Sequence, residues 1–217
     1  MKFLITAGPT REPLDPVRYL SNRSSGKMGY AIADAAIAEG HDVVLISGPV
    51  NLDPPRAAKF MSILTADEMF DAVHRHIAAC DVLVMCAAVA DYKAAKISPH
   101  KLKKNDAPIS LELAPTRDIL GSLGKQDRQF LVVGFAAETR DLETNAQKKL
   151  REKNCDMIVG NDVSSADLGM ESDENAVTIF FRNGESKKIS RTFKKNIARE
   201  LIKIISNVRE KRLTKKS

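Results

Sequence analysis

The sequence predicts an α/β fold, a doubly wound and mostly parallel Rossmann-like sheet with helices on both faces. Three short apolar runs, at residues 2–6, 42–47 and 81–87, have the nearly continuous hydrophobicity of strands buried on both sides. Stretches of helical periodicity separate the runs, and strands alternating with helices are typical of parallel sheets. Ligands of such sheets bind at the carboxyl ends of the strands, so the residues after each run are the first candidates for a site.

Two helices in the first half have recognisable ends. Residues 30–40 form an alanine-rich helical pattern that ends at Gly40, a residue suited to a C-terminal cap. Thr65 precedes Glu68 by three residues, a capping-box spacing that predicts a helix from there to about residue 79.

The second half has a weaker pattern at first. After Asp91 the chain is irregular until residues 109–113, whose alternation predicts a half-exposed strand. Asn183 and Gly184 follow an apolar run, which predicts a β-hairpin. Periodicity and apolar runs further predict helices at 118–123, 143–153 and 193–208, and strands at 130–135, 157–160 and 176–181.

Length and composition indicate one domain over residues 1–208, followed by a basic tail at 209–217 that we expect to be disordered. The net charge is +6, from 34 basic and 28 acidic residues. Trp is absent and only 5% of residues are aromatic, which argues against a stacking surface for single-stranded nucleic acid. No apolar run approaches the roughly 18 residues of a membrane helix, and signal-peptide features are lacking. We therefore expect a soluble, cytoplasmic protein.

The cysteines and histidines do not predict a cross-linked or metal-bound structure. Cys80, Cys86 and Cys155 form neither a CxxC pair nor an even set, which argues against a disulfide framework and a zinc site. The four histidines show no spacing typical of zinc ligands.

A glycine-containing loop before the first helix is a candidate anion site. Ser24, Ser25 and Gly26 lie where unpaired backbone N–H groups and the positive end of a helix dipole attract phosphate. The loop is neither a Walker A motif nor GxGxxG, and its glycines could serve tight packing alone. Arg18 and Asn22, slightly upstream, could bind a carboxylate, a phosphate or a mixed anhydride of the two, or could be ordinary polar surface residues.

Small and charged residues follow two later strands. Ala87 and Ala88 leave room for a flat ligand, and Asp91 could hold Mg²⁺, accept a hydrogen bond from a ribose or cap a turn. Lys101 could reach a phosphate or remain solvated. Phe135 follows a strand of the second half and could line a ligand or pack in the core. Lys149 and Lys153 share one helical face, suited to a polyphosphate or to a salt-bridged surface.

Five motifs in register resemble one family. The segments at 6–29, 87–92, 101–104, 134–139 and 161–164 are similar to those of bacterial phosphopantothenoylcysteine synthetase, and the resemblance covers nearly the whole chain. In many bacteria this domain follows a flavin-dependent decarboxylase. These residues do not include that half, so we expect either a stand-alone synthetase or a domain excised from such a fusion, and no flavin chemistry from these residues.

The resemblance implies a ligase of coenzyme A biosynthesis. Its three substrates are 4′-phosphopantothenate, CTP and L-cysteine: CTP activates the carboxylate to an acyl-cytidylate with release of pyrophosphate, and cysteine then displaces CMP. Lys101 would neutralise phosphate, Asn22 would hold the acyl-cytidylate, and Arg18 would support that pocket or bind the pantothenate phosphate. Mg²⁺ would accompany the triphosphate, with Asp91 as its side-chain contact.

The resemblance also implies a nucleotide site and a homodimer. Residues 115–118 depart from the Asn-Pro-Asp form of the family. Strands at 109–113 or 176–181 would extend between subunits. The positions that match the family's nucleotide contacts are Ala87, Ala88, Asp91, Lys101, Arg117, Asp118, Ile119, Leu120, Phe135, Lys149 and Lys153.

Two other functions are compatible with parts of the sequence. An NAD(P)-dependent reductase would share the fold, but the chain lacks GxGxxG and has Ser47 and Gly48 where an acidic residue would end the second strand. A nucleic-acid-binding module would use the net charge and the basic tail, and its binding would depend steeply on salt. We expect no nucleic-acid partner.

Overall fold

The computed structural model describes residues 1–104, 108–124, 128–163 and 171–214. Its strands are β1 (Lys2–Ala7), β2 (Arg11–Pro13), β3 (Tyr19–Ser21), β4 (Asp42–Ser47), β5 (Lys59–Ser62), β6 (Val82–Met85), β7 (Tyr92–Ala94), β8 (Leu113–Pro115), β9 (Leu131–Glu138), β10 (Met157–Asp162), β11 (Glu174–Phe181) and β12 (Ser186–Phe193). Its helices are α1 (Lys27–Ala38), α2 (Ala66–Ile77), α3 (Ile119–Gly124), α4 (Leu142–Glu152) and α5 (Lys194–Thr214).

The central sheet confirms the predicted fold class. In the described residues it has eight strands, in the spatial order β5-β4-β1-β6-β9-β10-β11-β12. The first six in this order are parallel, and β11 and β12 add an antiparallel hairpin at one edge. Within this sheet the chain continues from β1 to β4 and then to β5, which is the edge strand on one side of β1. It then crosses to the opposite side of β1, where β6 lies. The order reverses between β1 and β6, which is where doubly wound sheets bind ligands.

Helices cover both faces of the sheet, which is why the strand sequences are apolar at successive positions. Alternate residues of β1 enter opposite cores: Phe3 and Ile5 pack under α1 and α5, whereas Leu4 packs under α2, α3 and α4. All three side chains are fully buried. A strand buried on both faces shows no polar alternation, which explains the continuous apolar runs.

A glycine brings α1 unusually close to the sheet. A Cβ built at Gly29 would lie 2.6 Å from the Cβ of Ala7 and 3.1 Å from the carbonyl oxygen of Thr6. Gly26, the N-cap of α1, has a φ of 74°, a left-handed conformation that favours glycine. These two glycines fix the start of α1 against the carboxyl end of β1.

Several predicted elements are confirmed, and the Thr65 cap has the expected contact. The Oγ1 of Thr65 accepts a hydrogen bond from the Glu68 amide at 3.2 Å. The Glu68 carboxylate reaches the Leu64 amide, one residue before the cap, at 2.6 Å. The hairpin predicted at Asn183 and Gly184 joins β11 to β12.

The expectation of a disordered tail is wrong for residues 209–214, because α5 continues to Thr214. Arg209 lies 3.1 Å from an oxygen of Asp81, and Arg212 lies 3.4 Å from one of Asp156. These carboxylates turn the basic residues toward the protein and extend the helix. Residues 215–217 lie outside the described residues.

The strand predicted at 109–113 is also wrong. Residues 109–112 are not part of a strand. The short β8 begins at Leu113 and pairs with β7 in a separate two-stranded sheet. Four strands were missed: β5 at the sheet edge, β7 in the stretch predicted as irregular, and β2 and β3, which form a second small hairpin in a segment predicted as a loop. In the described ranges, none of the helices combines the length and the apolar character needed to cross a bilayer.

Candidate active site

A cavity of about 560 Å³ opens at the carboxyl ends of the central strands, where the strand order reverses. This volume is in the range of small-molecule sites. Most residues proposed from the sequence line it: Asn22, Ser24, Gly26, Ala87, Ala88, Asp91, Arg117, Asp118, Ile119, Leu120, Phe135, Lys149 and Lys153. Arg18, Ser25 and Lys101 are not among the lining residues.

Asn22 connects the loop before α1 to the end of β6. Its side-chain nitrogen donates hydrogen bonds to the carbonyl oxygens of Ala88 and Val89, both at 3.1 Å. The loop and the strand end therefore form one wall of the cavity.

Two buried threonines, which the sequence analysis did not single out, hold the segment after β6. The Oγ1 of Thr6 accepts a hydrogen bond from the Ala87 amide at 3.2 Å, and the Oγ1 of Thr10 accepts one from the Ala90 amide at 3.0 Å. Both threonines are fully buried. The backbone at the floor of the cavity is thus fixed by hydrogen bonds that cross the reversal point of the sheet.

The two lysines of the α4 region lie together, as their spacing predicts. The Lys149 amine donates a hydrogen bond to the Phe135 carbonyl oxygen at 2.7 Å, and burial lowers its pKa. Lys153 pairs with Asp118, whose Oδ1 accepts the Gly121 amide at the start of α3. Burial acts to raise the pKa of the Asp118 carboxyl, but the Lys153 amine and the Gly121 amide outweigh it and lower the pKa.

Arg117 lines the cavity, but its charge is neutralised by α2. Its guanidinium lies 2.8 Å from Asp67 and 2.7 Å from Asp71, and it stacks 4.0 Å from the centre of the Phe70 ring. The Asp71 hydrogen bond is the main cause that raises the pKa of Arg117. The side chain therefore anchors the segment before α3 to α2, a role that the sequence analysis did not foresee.

Arg18 lies outside the cavity and holds the segment that carries Lys101. Its guanidinium lies 2.6 Å from the buried Asp15 carboxylate and also donates to the Leu102 carbonyl oxygen. Asp15 in turn accepts the Leu102 amide at 3.0 Å. Lys101 itself is exposed. The structure thus assigns Arg18 a structural contact one residue from Lys101.

The Asp15 carboxyl is held in its ionised form. Burial acts to raise its pKa, but hydrogen bonds from the amides of Leu102, Val17 and Arg18 and from the Arg18 side chain outweigh it. The pKa lies well below its usual range as a result.

Four further polar residues line another part of the cavity, and the sequence analysis did not propose them as site residues, although Lys27 and Asn161 lie in its motifs. Lys27 pairs with Asp173 at 2.6 Å. Lys194 is largely buried, and burial lowers its pKa. Asn161 and Asn175 complete this part. The Asn161 Oδ1 atom is buried and has no hydrogen-bond partner among the described residues. The polar end of the strand at Asn161 was a visible signal, whereas Lys194 was hidden in an ordinary basic stretch.

Cys80, Cys86 and Cys155 are free thiols. Cys86 lines the cavity, and burial raises the pKa of its thiol to about 12, so it is protonated at neutral pH. Among the described residues, no group of three or more His, Cys, Asp or Glu side chains is arranged to hold a metal ion.

Comparison with known proteins identifies the family. The model of the DNA/pantothenate metabolism flavoprotein C-terminal domain matches residues 1–208. The chain belongs to this family. Members among the curated relatives include the coenzyme A biosynthesis bifunctional protein CoaBC of Bacillus subtilis, 46% identical over 94% of this chain and 50% of that protein. The Escherichia coli K12 protein of the same name is 46% identical over 85% of this chain and 47% of that protein. The chain therefore spans about half the length of these relatives.

Solved structures agree with this assignment. The crystal structure of the C-terminal domain of CoaBC is 43% identical, with a TM-score of 0.83 over 97% of this chain and 96% of that one. A Cab2 mutant in complex with phosphopantothenate-cysteine has a TM-score of 0.81 over 99% of this chain and 88% of that one. At 16% identity, the Cab2 likeness shows the fold alone. The family resemblance predicted from the sequence motifs is confirmed.

Proposed function

We propose that the chain is a phosphopantothenate–cysteine ligase of coenzyme A biosynthesis that uses CTP. The observation that carries the proposal is that one cavity brings together Asn22, Ala88 and the Lys149 region from three separate parts of the sequence. Membership of the family and similarity to the C-terminal domain of CoaBC support it.

In the first step, the carboxylate of 4′-phosphopantothenate attacks the α-phosphorus of CTP. A P–O bond forms to the carboxylate oxygen, the bond to the β-phosphate oxygen breaks, and pyrophosphate leaves with that electron pair. Two anions must approach each other, so cationic side chains near the cavity lower the barrier. Lys149 and Lys153 lie in its wall, and Lys101 lies in the segment tethered by Arg18.

In the second step, the amine of cysteine attacks the acyl carbon, the amide forms, and CMP leaves with the electrons of the C–O bond. The amine proton is released to solvent. Asn22 lies beside the backbone carbonyl groups of Ala88 and Val89, where a bound acyl-cytidylate would be oriented.

Mg²⁺ would be held mainly by the phosphates, which fits a cavity that offers few carboxylates. Asp91 lines the cavity and is exposed, so it is the side chain that would contact the ion. The ion would neutralise charge on the triphosphate. We assign no flavin chemistry to these residues and retain the cytoplasm as the expected compartment.

We also propose a homodimer formed through the β7–β8 ribbon. Tyr92, Ile109, Leu111 and Leu113 are large apolar residues of this region that are 44–56% exposed. The alternative at 176–181 has less support, because β11 pairs with β10 on one side and β12 on the other. Sedimentation velocity of the wild type and of a Leu111→Lys variant tests the interface, which predicts a dimer and a monomer respectively.

Pyrophosphate release tests the activity. The purified protein is assayed with Mg²⁺ and 4′-phosphopantothenate, with CTP or ATP, each with and without cysteine. Release that requires phosphopantothenate and prefers CTP is the expected result. Absence of release with either nucleotide, from folded protein, would refute the proposal.

Two substitutions test the assigned roles. Lys101→Gln should suppress pyrophosphate release, whereas Lys103→Gln, two residues along the same exposed segment, should leave it nearly unchanged. Asn22→Asp should still release pyrophosphate but accumulate the acyl-cytidylate without amide product. Normal pyrophosphate release by Lys101→Gln, or normal amide formation by Asn22→Asp, would contradict the respective role.

No structural observation favours the two other functions. Arg209 and Arg212, which motivated a nucleic-acid module, are engaged by Asp81 and Asp156. A reductase would need an acidic residue after β4, where Gly48 packs so closely that a Cβ would lie 1.7 Å from the Pro9 carbonyl oxygen.

A further inference from the structure

A second cavity, of about 410 Å³, lies against the other part of the loop before α1. It is bounded by the β2–β3 hairpin, by this loop and by the segment that follows β4. Asn22, Ser24 and Lys27 line both cavities, so a ligand could extend from one to the other around the start of α1. The proposed reaction does not yet assign this space a role.

The charges of the main cavity are largely compensated. Lys153 pairs with Asp118, and Arg117 pairs with two carboxylates of α2. Lys149 and Lys194 each donate to a backbone carbonyl oxygen, and burial lowers the pKa of both amines. A triphosphate together with a phosphomonoester carries more negative charge than these groups neutralise.

The second cavity is lined by two arginines, and their charges are not compensated by carboxylates of the described residues. Arg11 and Arg23 line it, and within the described ranges neither pairs with a carboxylate. The Arg11 guanidinium lies 4.7 Å from the centre of the Tyr19 ring, which orients it, and Arg23 is exposed. Glu171 also lines the cavity, and Lys27 pairs with Asp173, so the arginines give the lining its positive excess.

From this charge distribution we infer that the second cavity is a phosphate subsite and that Arg11 and Arg23 are its ligands. Guanidinium groups bind phosphate oxygens in a bidentate manner, and the start of α1 adds the positive end of its dipole. The inference rests on the proposed function for the source of the phosphate. That source is the terminal phosphates of the nucleotide or the phosphomonoester of the acyl substrate.

The test compares the Arg11→Gln/Arg23→Gln double variant with the wild type by calorimetric binding. Arg75→Gln, an exposed arginine on α2 away from both cavities, is the matched control. The probes are CTP and CMP, 4′-phosphopantothenate and pantothenate, and inorganic pyrophosphate. Circular dichroism and thermal unfolding establish that each variant is folded.

The double variant should bind one phosphorylated ligand at least tenfold more weakly, while the control binds normally. A loss for CTP but not CMP identifies the nucleotide's terminal phosphates as the source. A loss for 4′-phosphopantothenate but not pantothenate identifies the phosphomonoester. The Arg11→Lys/Arg23→Lys variant should recover part of the loss, because it restores charge without bidentate geometry.

Binding within twofold of wild type for every probe would overturn the inference. Weakened binding of CMP and pantothenate to the same extent as their phosphorylated partners would also overturn it. The binding of inorganic pyrophosphate distinguishes failure of this inference from failure of the proposed function. If the wild type catalyses no reaction, weaker pyrophosphate binding by the double variant still supports the subsite, and equal binding overturns it.

Discussion

The close approach of α1 to β1 makes Gly29→Ala the most informative single substitution. The new methyl carbon would lie 2.6 Å from the Ala7 Cβ, whereas carbon atoms in contact are roughly 3.5–4.0 Å apart. The helix must therefore move about 1 Å away from the sheet. Because Gly26 and Lys27 begin the same helix and line the cavity, the displacement reaches the candidate site.

The expected loss of stability follows from two opposing effects. Overpacking of a core contact costs about 1–3 kcal/mol, and replacing a helical glycine by alanine returns about 0.5–1 kcal/mol. Taken at the middle of each range, the two effects lower the free energy of unfolding by about 1 kcal/mol. For a chain of this length the melting temperature then falls by roughly 2–4 °C.

Urea unfolding of a double-mutant cycle measures the contact itself. Ala7→Gly removes the methyl group that the new one meets, so Gly29→Ala/Ala7→Gly should be about 1–2 kcal/mol more stable than the two single effects predict. The pair Asp34→Ala and Asp34→Gly, at an exposed position of α1, measures the helix-propensity effect separately. A coupling energy near zero, or a Gly29→Ala protein as stable as wild type, would refute the reasoning.

Three further predictions concern other contacts. Asp15→Asn should raise the KM for CTP and for 4′-phosphopantothenate, because it releases the segment that carries Lys101. Glu39→Gln, the control, should leave both KM values unchanged. In steady-state kinetics, an unchanged KM for Asp15→Asn would argue against the tether. The pKa of Asp15 is lowered in the folded state, so its contribution to stability is complete above about pH 4 and is lost as the pH falls further. Urea midpoints should therefore decline less below pH 4 in Asp15→Asn than in wild type, and parallel curves would contradict this. Arg212→Ala should lower the free energy of unfolding by about 1–2 kcal/mol, since it removes charged hydrogen bonds to Asp156 and to the Arg128 carbonyl oxygen. A change below about 0.3 kcal/mol in urea unfolding would indicate instead that the C-terminal end of α5 is frayed.

The parallel sheet could be predicted because each central strand satisfies a local rule. Strands such as β1 and β6 are apolar at successive positions, and Thr65 caps α2 through a short-range pattern. The carboxyl ends of those strands then had to converge, which placed Ala87 and Phe135 at the cavity.

Contacts between distant segments could not be predicted in the same way. The tether from Asp15 to Leu102 spans 87 residues, and the pairing of Arg117 with α2 spans about 50. In sequence, Arg117 resembles an arginine that binds phosphate, because its partners Asp67 and Asp71 lie far along the chain on α2. The end of α5 was missed for the same reason, because Asp81 and Asp156 are remote in the chain.

The position of α5 has a consequence for how the chain reaches its native state. Ile197, Leu201 and Ile205 are fully buried in the core that α1 also covers. During synthesis, β1 precedes its partner β6 by more than 70 residues, and one face of the sheet stays open until α5 is complete. Such long-range closure slows folding, and exposed apolar strands are prone to aggregate meanwhile. Nascent chains stalled before α5 should therefore bind chaperones that hold apolar segments, and release should coincide with the emergence of that helix.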